Sequence, residues 1–159
     1  MEYTELYLGL GSNQGDRKAF LDAAVRSIDA VLGMPATRIS SCLETPAWGF
    51  EGADFLNLVL RYDLPPSGVD PSLHAHALLR AFQDIERALG RTRKSVNIDG
   101  KPCYSDRPID IDILLYGRTR IQTETLVVPH PLMHLRDFVQ IPLREILSPQ
   151  MAAWLTPQA

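Results

Sequence analysis

The chain has 159 residues, of which 45% are hydrophobic and 22% are charged, and its net charge at pH 7 is −3. A chain of this length and composition can bury a core as one globular domain over residues 1–159, and its acidic balance argues against a nucleic-acid partner. It has no apolar run near the roughly 20 residues of a membrane span, and its two cysteines lack metal-ligand spacing, so we expect a cytoplasmic protein without a membrane partner.

The N-terminal part predicts a strand followed by a helix. Three leucines alternate over residues 5–10, which is the period of a strand, and apolar residues recur at helical spacing over 17–32 until Gly33. The glycines between the two elements fit neither a Rossmann nor a P-loop motif, because a third glycine and a Gly-Lys-Ser/Thr are missing. We therefore expect Gly9 and Gly11 to belong to a tight turn whose backbone can approach a ligand closely.

Two more strands are predicted before the second helix. Residues 37–44 predict a mixed strand, and residues 55–62 alternate again, with Asn57 as a polar exception in an otherwise apolar run. A buried amide needs hydrogen-bond partners, either in neighbouring backbone or on the edge of a heterocyclic ligand. Trp48 lies in the proline- and glycine-containing loop between the strands, where it could cover the core or stack on a planar ligand.

The second helix is predicted from its cap residues and its apolar period. Asp70 and Pro71 are typical of a helix start, and Gly90 of its end. His74 and His76 cannot face one ligand from positions two residues apart on a helix, so we expect both to be surface residues.

A basic segment follows this helix. Between residues 91 and 107, five basic residues stand against two acidic ones. A basic segment that runs into paired carboxylates suits a metal-polyphosphate ligand, because the cations hold the phosphates and the carboxylates hold the metal. For any one of these basic residues the alternative is a solvated loop side chain. We expect residues 94–104 to form a mobile loop.

The next strand, over residues 107–116, carries the main chemical signal. Asp110 and Asp112 alternate with isoleucines, so both carboxylates lie on one face, about 6.5–7 Å apart along the strand. Two like charges side by side on a strand repel, so the pair needs a compensating cation, and Mg²⁺ with phosphate oxygens fits that span. The alternative is that both aspartates simply lie on the solvent-exposed face of an edge strand.

The order of elements predicts the fold class. Strand, helix, strand, strand, helix, strand is the signature of an α+β protein with a ferredoxin-like β-α-β-β-α-β core, in which helices pack on an antiparallel sheet. A short β-like segment follows at 126–128, and residues 129–146 are expected to end in two apolar turns.

Six separated segments, in order, resemble the 6-hydroxymethyl-7,8-dihydropterin pyrophosphokinase family of folate biosynthesis, over nearly the whole chain. They are Gly11-Ser12-Asn13; Thr45-Pro46 with Gly49; Phe55-Leu56-Asn57; Gly90-Arg91-Thr92-Arg93; residues 107–117; and Val128-Pro129-His130-Pro131 leading to Arg136-Asp137-Phe138-Val139. The resemblance implies that the pterin hydroxymethyl oxygen attacks the β-phosphorus of ATP, so that the pterin leaves with the diphosphate and AMP is released.

The resemblance also implies which residues act. Asp110 and Asp112 hold two Mg²⁺ ions, and together with Arg91 and Arg107 they form the catalytic set. The residues implied for ATP binding are Gln83, Glu86, Arg91, Arg93, Arg107, Ile113, His130 and Arg136. The residues implied for pterin binding are Thr45, Pro46, Trp48, Phe55, Asn57 and Phe138.

The expected partners are ATP and the pterin, with the chain acting as a monomer. One departure from the family is Tyr104-Ser105-Asp106-Arg107 in place of the usual Trp-Gly-Pro-Arg, next to a 94–104 loop that we expect to close over ATP as a lid. A palm-type nucleotidyltransferase or cyclase is an alternative enzyme, since it also places two carboxylates on a ferredoxin-like sheet. An RNA-binding or regulatory module is the alternative without catalysis, but it has no use for the aspartate pair.

Overall fold

One antiparallel sheet organises the part of the chain that the computed structural model describes, namely residues 2–47, 52–90 and 108–155 together with the backbone of 96–98 and 101–103. None of the helices in these ranges is both long enough and apolar enough to cross a membrane.

The main sheet has five strands, and all of its described pairings are antiparallel. β1 (Thr4–Ser12) lies between β4 (Phe55–Leu64) and β7 (Asp110–Tyr116), so β7 forms one edge. β2 (Arg38–Ile39) and β3 (Leu43–Thr45) both pair with the outer side of β4. With a helix after the first strand and another after β4, this order confirms the predicted ferredoxin-like core.

The prediction of one continuous strand over 37–44 is wrong, because the chain breaks between β2 and β3. At the break, Ser40 N donates to Val59 O at 3.0 Å, and Ser40 Oγ accepts from Val59 N at 2.8 Å. The side-chain hydroxyl therefore takes the place of a main-chain carbonyl. It accepts the hydrogen bond of the Val59 N–H on β4, although the neighbouring strand is interrupted there.

Two helices cover one face of the sheet. α1 (Arg17–Leu32) starts at Asp16, whose Oδ1 accepts from Ala19 N at 3.1 Å, and ends at Gly33 with a left-handed φ of 69°. α2 (Pro71–Ala88) starts at Asp70 in the same way. The helices bury their apolar stripes against alternate residues of the strands, and together these side chains form the main core. Its members include Leu6, Leu8, Leu10, Leu21, Ile28, Leu58, Leu60, Tyr62, Phe82, Ile109, Ile111 and Ile113.

The opposite face is covered by the C-terminal part of the chain. A 3₁₀ turn (Met133–Leu135) leads into α3 (Asp137–Ile146), and α4 (Pro149–Leu155) follows. The second core joins these helices to the strand residues that the first core does not use; its members are Tyr7, Val59, Leu114, Leu115, Met133, Val139, Leu143, Ile146 and Met151. The expectation of two apolar turns is therefore wrong, because residues 137–146 form one ten-residue helix. The helix continues through Pro142, although a proline inside a helix disfavours it.

Two small hairpins lie outside the main sheet. β5 (Val96–Ile98) pairs with β6 (Lys101–Cys103), and β8 (Ile121–Gln122) pairs with β9 (Val127–Val128). The segment 94–104, predicted as a mobile loop, thus contains two paired strands, and its mobility and lid role stay predictions. The Asp-Gly dipeptide between the triplets is a hairpin signal that could have indicated them.

The two histidines of α2 are half-buried, so their prediction as surface residues is wrong. His74 Nδ1 lies 2.5 Å from Tyr116 Oη, and His76 Nε2 lies 2.9 Å from Thr123 Oγ1. Burial lowers the pKa of His74. Both side chains join the start of α2 to the end of β7 and the segment after it, which is a structural role.

Candidate active site

The two carboxylates of β7 lie side by side on the face that α3 partly covers. Asp110 pairs with Gly11 and Asp112 with Gly9, and both aspartates are half-buried. Paired residues of an antiparallel sheet point to the same face, so Asp110 and Asp112 share theirs with the two glycines. The alternating isoleucines of β7 point into the opposite core. The prediction of a shared carboxylate face therefore agrees with the register.

The two glycines leave a strip of β1 without side chains beside the carboxylates. A Cβ at Gly11 would lie 3.0 Å from Asn57 Oδ1 and 3.3 Å from Phe55 Cδ1, closer than ordinary van der Waals contact. A Cβ at Gly9 would lie 3.4 Å from the Leu114 methyl groups. Both glycines lie within β1, so their prediction as turn residues is wrong. Two glycines in a strand are the sequence signal for close approach of a ligand or another backbone.

Asn57 borders this strip on β4, opposite Gly11. It is 5% exposed, and its Nδ2 donates to Leu43 O at 3.2 Å and to Thr45 Oγ1 at 2.9 Å. Both amide hydrogens are thus directed to β3, and Oδ1 is the atom next to Gly11. The polar exception predicted from the sequence has main-chain and side-chain partners and presents an acceptor to the strip.

Two aromatic side chains lie on the same side of the sheet as the strip. Phe55 pairs with Thr45 and is half-buried beside Gly11, and Phe138 is half-buried in the first turn of α3. Because α3 packs against β3 and β4, Phe138 is on the same side of the sheet as Asn57. The Arg136 guanidinium carbon lies 5.5 Å from the centre of the Phe138 ring, which is cation-π distance.

Glu86 reaches the carboxylate strand from the other side. It is 4% exposed, and its Oε2 accepts from Ile111 N at 2.8 Å. Glu86 therefore belongs to the buried face of α2, although its side chain is ionisable. Ile111 lies between Asp110 and Asp112, and its N–H points to the outer edge of the sheet. Glu86 therefore binds the main chain of β7 between the two aspartates.

The other residues implied for ATP binding lie around β7. Gln83 is half-buried one turn before Glu86, whereas the Ile113 side chain is buried in the main core, on the opposite face of β7 from the two carboxylates. His130 N donates to Leu114 O at 2.9 Å, and His130 Nδ1 accepts from Leu132 N at 3.3 Å. Acceptance at Nδ1 places the proton of the neutral ring on Nε2.

Several predicted residues lie outside the described residues. These are Trp48 of the pterin set and Arg91, Arg93 and Arg107 of the ATP and catalytic sets. Pro46 is described, and it is exposed next to Thr45.

The donor set suits a divalent cation that arrives with phosphates. Mg²⁺ is commonly held by one or two carboxylates together with substrate phosphates and water, not by a complete protein cage. Asp110 and Asp112 supply such a pair beside the glycine strip, and no group of three His, Cys, Asp or Glu side chains in the described ranges forms a fuller metal site. The geometry therefore fits a metal-phosphate ligand next to an apolar and amide-lined edge.

The chain is similar to a family of known proteins over most of its length. The family model described as 7,8-dihydro-6-hydroxymethylpterin-pyrophosphokinase matches residues 7–148. A 2-amino-4-hydroxy-6-hydroxymethyldihydropteridine pyrophosphokinase of Porphyromonas gingivalis is 43% identical over 158 residues, covering 97% of this chain and 95% of the relative. A protein of the same description from Bacillus subtilis is 40% identical over 141 residues, covering 88% of this chain and 76% of the relative.

A longer relative contains a similar region. The mitochondrial folate synthesis bifunctional protein of Pisum sativum is 36% identical over 156 residues, which cover 94% of this chain but 27% of the relative.

Proposed function

The chain belongs to the 7,8-dihydro-6-hydroxymethylpterin-pyrophosphokinase family, and on that premise we propose which of its residues perform the reaction. The reaction transfers the diphosphate of ATP to the hydroxymethyl group of 6-hydroxymethyl-7,8-dihydropterin and releases AMP, a step of folate biosynthesis. One observation carries the assignment of residues: the register sets Asp110 and Asp112 beside a glycine strip that Asn57 borders on the other side.

The pterin binds over the glycine strip in this proposal. Phe55 and Phe138 provide aromatic faces for the ring, and Asn57 Oδ1 accepts a hydrogen bond from its polar edge. Thr45 contributes indirectly, since its hydroxyl holds the Asn57 amide in the orientation that presents Oδ1. Pro46 and Trp48 complete the wall by family resemblance.

The phosphates bind next to β7. Asp110 and Asp112 would hold two Mg²⁺ ions with the phosphate oxygens, and bound ions of this kind lower the negative charge that the incoming hydroxymethyl oxygen meets at the β-phosphorus. The site residues of this chain orient the two substrates so that the oxygen lies in line with the departing AMP.

Donors complete the phosphate site. His130 Nε2–H and Arg136 approach from the segment before α3, and both can donate to phosphate oxygens. By resemblance, Arg91 and Arg107 grip the triphosphate, and Gln83, Glu86, Arg93 and the main chain of Ile113 border ATP.

The enzyme acts on two small molecules, and a monomer is sufficient for this proposal because every assigned residue comes from one chain. Light scattering during gel filtration tests the monomer. The cytoplasmic location also stays a prediction, which cell fractionation would test.

The position of attack separates this function from a palm-type alternative with the same paired carboxylates. We expect the protein, incubated with ATP, Mg²⁺ and 6-hydroxymethyl-7,8-dihydropterin, to form AMP and pterin diphosphate in equal amounts, with neither product formed when the pterin is omitted. Release of inorganic pyrophosphate would show attack at the α-phosphorus and would contradict the proposal. Chromatography of the nucleotides and pterins measures both outcomes.

A further inference from the structure

The chain that enters β4 is held by two side chains that follow β1, one from the turn after it and one from the first turn of α1. Residues 52–54 are exposed and have no regular secondary structure. Asn13 Nδ2 donates to Ala53 O at 3.1 Å, and Arg17 Nη1 donates to Asp54 O at 3.0 Å. An exposed segment is normally mobile, so two consecutive carbonyls bound by side chains show that its last residues are fixed before Phe55 begins the strand.

The same arginine also reaches β3. Arg17 Nη2 lies 2.6 Å from Glu44 Oε2, and Glu44 precedes Thr45, which pairs with Phe55. A guanidinium is a planar fork, so one side chain can donate to two acceptors in fixed directions, which a lysine with a single nitrogen cannot reproduce. Arg17 therefore bridges both strands at the point where Thr45 and Phe55 lie opposite each other.

The base of this bridge is rigid. Arg17 is the first residue of α1, which Asp16 caps and which buries Leu21, Ala24 and Ile28 in the main core. The Arg17 and Glu44 side chains remain 32% and 53% exposed. Ion pairs with this exposure contribute little to overall stability, so the effect of the bridge is local.

We propose that Arg17, assisted by Asn13, is a positioning residue that fixes the Thr45–Phe55 wall of the pterin site by binding Asp54 O and Glu44. The inference rests on the pterin site of the proposed function. It assigns to Arg17 a share in pterin affinity, although its hydrogen bonds go to Asp54 O and Glu44, which are outside the residues assigned to either substrate.

The first test compares Arg17→Ala with Lys18→Ala. Lys18 is the adjacent residue, and its own ion pair with Asp22, at 3.5 Å, stays within α1. We expect Arg17→Ala to raise the KM for the pterin about tenfold, while kcat and the KM for ATP change less than about twofold. Lys18→Ala should match the wild type, and Arg17→Lys should restore only part of the affinity.

The second test needs no substrate. Hydrogen–deuterium exchange of the peptide amides over residues 52–57 should be faster in Arg17→Ala than in Lys18→Ala, with no difference within α1. If Arg17→Ala does not fold, Glu44→Ala removes the other side of the bridge from an exposed position and should raise both the exchange rate and the pterin KM.

Three results would overturn the inference: an unchanged pterin KM in Arg17→Ala and Glu44→Ala, equal losses for ATP and pterin, or unchanged exchange over 52–57. Failure of the wild-type protein to act on the pterin would instead contradict the proposed function. Because the exchange experiment needs no substrate, it tests the positioning role of Arg17 independently of the activity result.

Discussion

Gly11 lies between Asn57 on β4 and Asp110 on β7, on the face of the sheet that carries both carboxylates. Its hydrogen in place of a side chain keeps Asn57 Oδ1 and the Phe55 ring close to the main chain of β1. At the scale of residues, the shape of the candidate site thus depends on an absent side chain as well as on charges.

Gly11→Ala tests this role. The added methyl group would lie 3.0 Å from Asn57 Oδ1 and 3.3 Å from the Phe55 ring, so one of these groups must move. We expect the KM for the pterin to rise about tenfold, because small displacements of positioning groups reduce binding and turnover strongly. The KM for ATP in the same variant is the control; an equal rise in both constants, in steady-state assays, would contradict a pterin-specific role.

Asp112 is half-buried, and in the proposed function its carboxylate is a metal ligand. Asp112→Asn keeps the size of the side chain and removes its charge, so we expect turnover to fall more than about 100-fold because a metal ligand is weakened. The melting temperature by circular dichroism should change by only a few degrees. Asp22→Asn, on the exposed side of α1, is the control. Near-normal turnover of Asp112→Asn would refute its assignment as a metal ligand.

At the scale of elements, β7 is held between β1 and α2. Its inner edge pairs with β1, and on its outer edge Ile111 N finds an acceptor in the buried Glu86 carboxylate. An edge strand without such a cap could shift or fray, and both carboxylates would move with it.

Glu86→Ala would leave the buried Ile111 N–H without this acceptor. We expect a loss of about 1–3 kcal/mol in the free energy of unfolding, measured with urea, because an unsatisfied buried donor carries a desolvation penalty. Glu86→Gln keeps an acceptor oxygen and should recover most of that stability. Equal instability of both variants would mean that the charge of Glu86, and not the hydrogen bond, holds the strand.

The C-terminal helices are joined to the sheet by a polar network on the second face. Tyr7 Oη donates to Glu5 Oε1 at 2.7 Å and accepts from Ser148 N at 3.0 Å, between α3 and α4. Arg61 Nη1 donates to Ile146 O at 3.4 Å, at the end of α3. Burial raises the pKa of Tyr7 to about 12, so its hydroxyl stays protonated and keeps donating at neutral pH. This network fixes α3, and with it Phe138 at its start.

At the scale of the whole molecule, the half-buried His74 makes stability depend on pH. Burial lowers the pKa of His74 in the folded state, whereas the unfolded chain binds the proton near the ordinary value of 6.5. As pH falls through 6.5 towards the lower folded pKa, the unfolded state takes up more protons, and stability is lost. Above pH 6.5 the contribution of the neutral His74–Tyr116 contact is complete.

His74→Gln should therefore differ most from the wild type at neutral pH. We expect the gap in melting temperature between wild type and His74→Gln to be larger at pH 7.5 than at pH 5.0, because only the wild type loses the contribution of this histidine on acidification. His134→Gln, at an exposed position, is the matched control and should show no such narrowing. A constant gap across this range, by circular dichroism, would count against the assignment.

Much of the fold could be predicted from local patterns. Period-two leucines indicated β1, apolar spacing up to Gly33 indicated α1, Asp70 marked the start of α2, and the element order indicated the ferredoxin-like core. These features depend on neighbours within a few residues, so a single chain displays them. α3 and the break at Ser40 were missed because the local signals there, a proline and a serine, conflict with the structure that long-range packing selects.

The candidate site divides in the same way. Alternation in one strand was enough to place Asp110 and Asp112 on one face, and the family motifs were readable in the sequence. The register of three strands then decided that Gly11, Asn57 and Asp110 share a row, and packing of α2 decided that Glu86 reaches Ile111 N. Pairing register and helix packing join residues far apart in the chain, and their free energy is gained only when the whole sheet and both cores assemble, which no local pattern records.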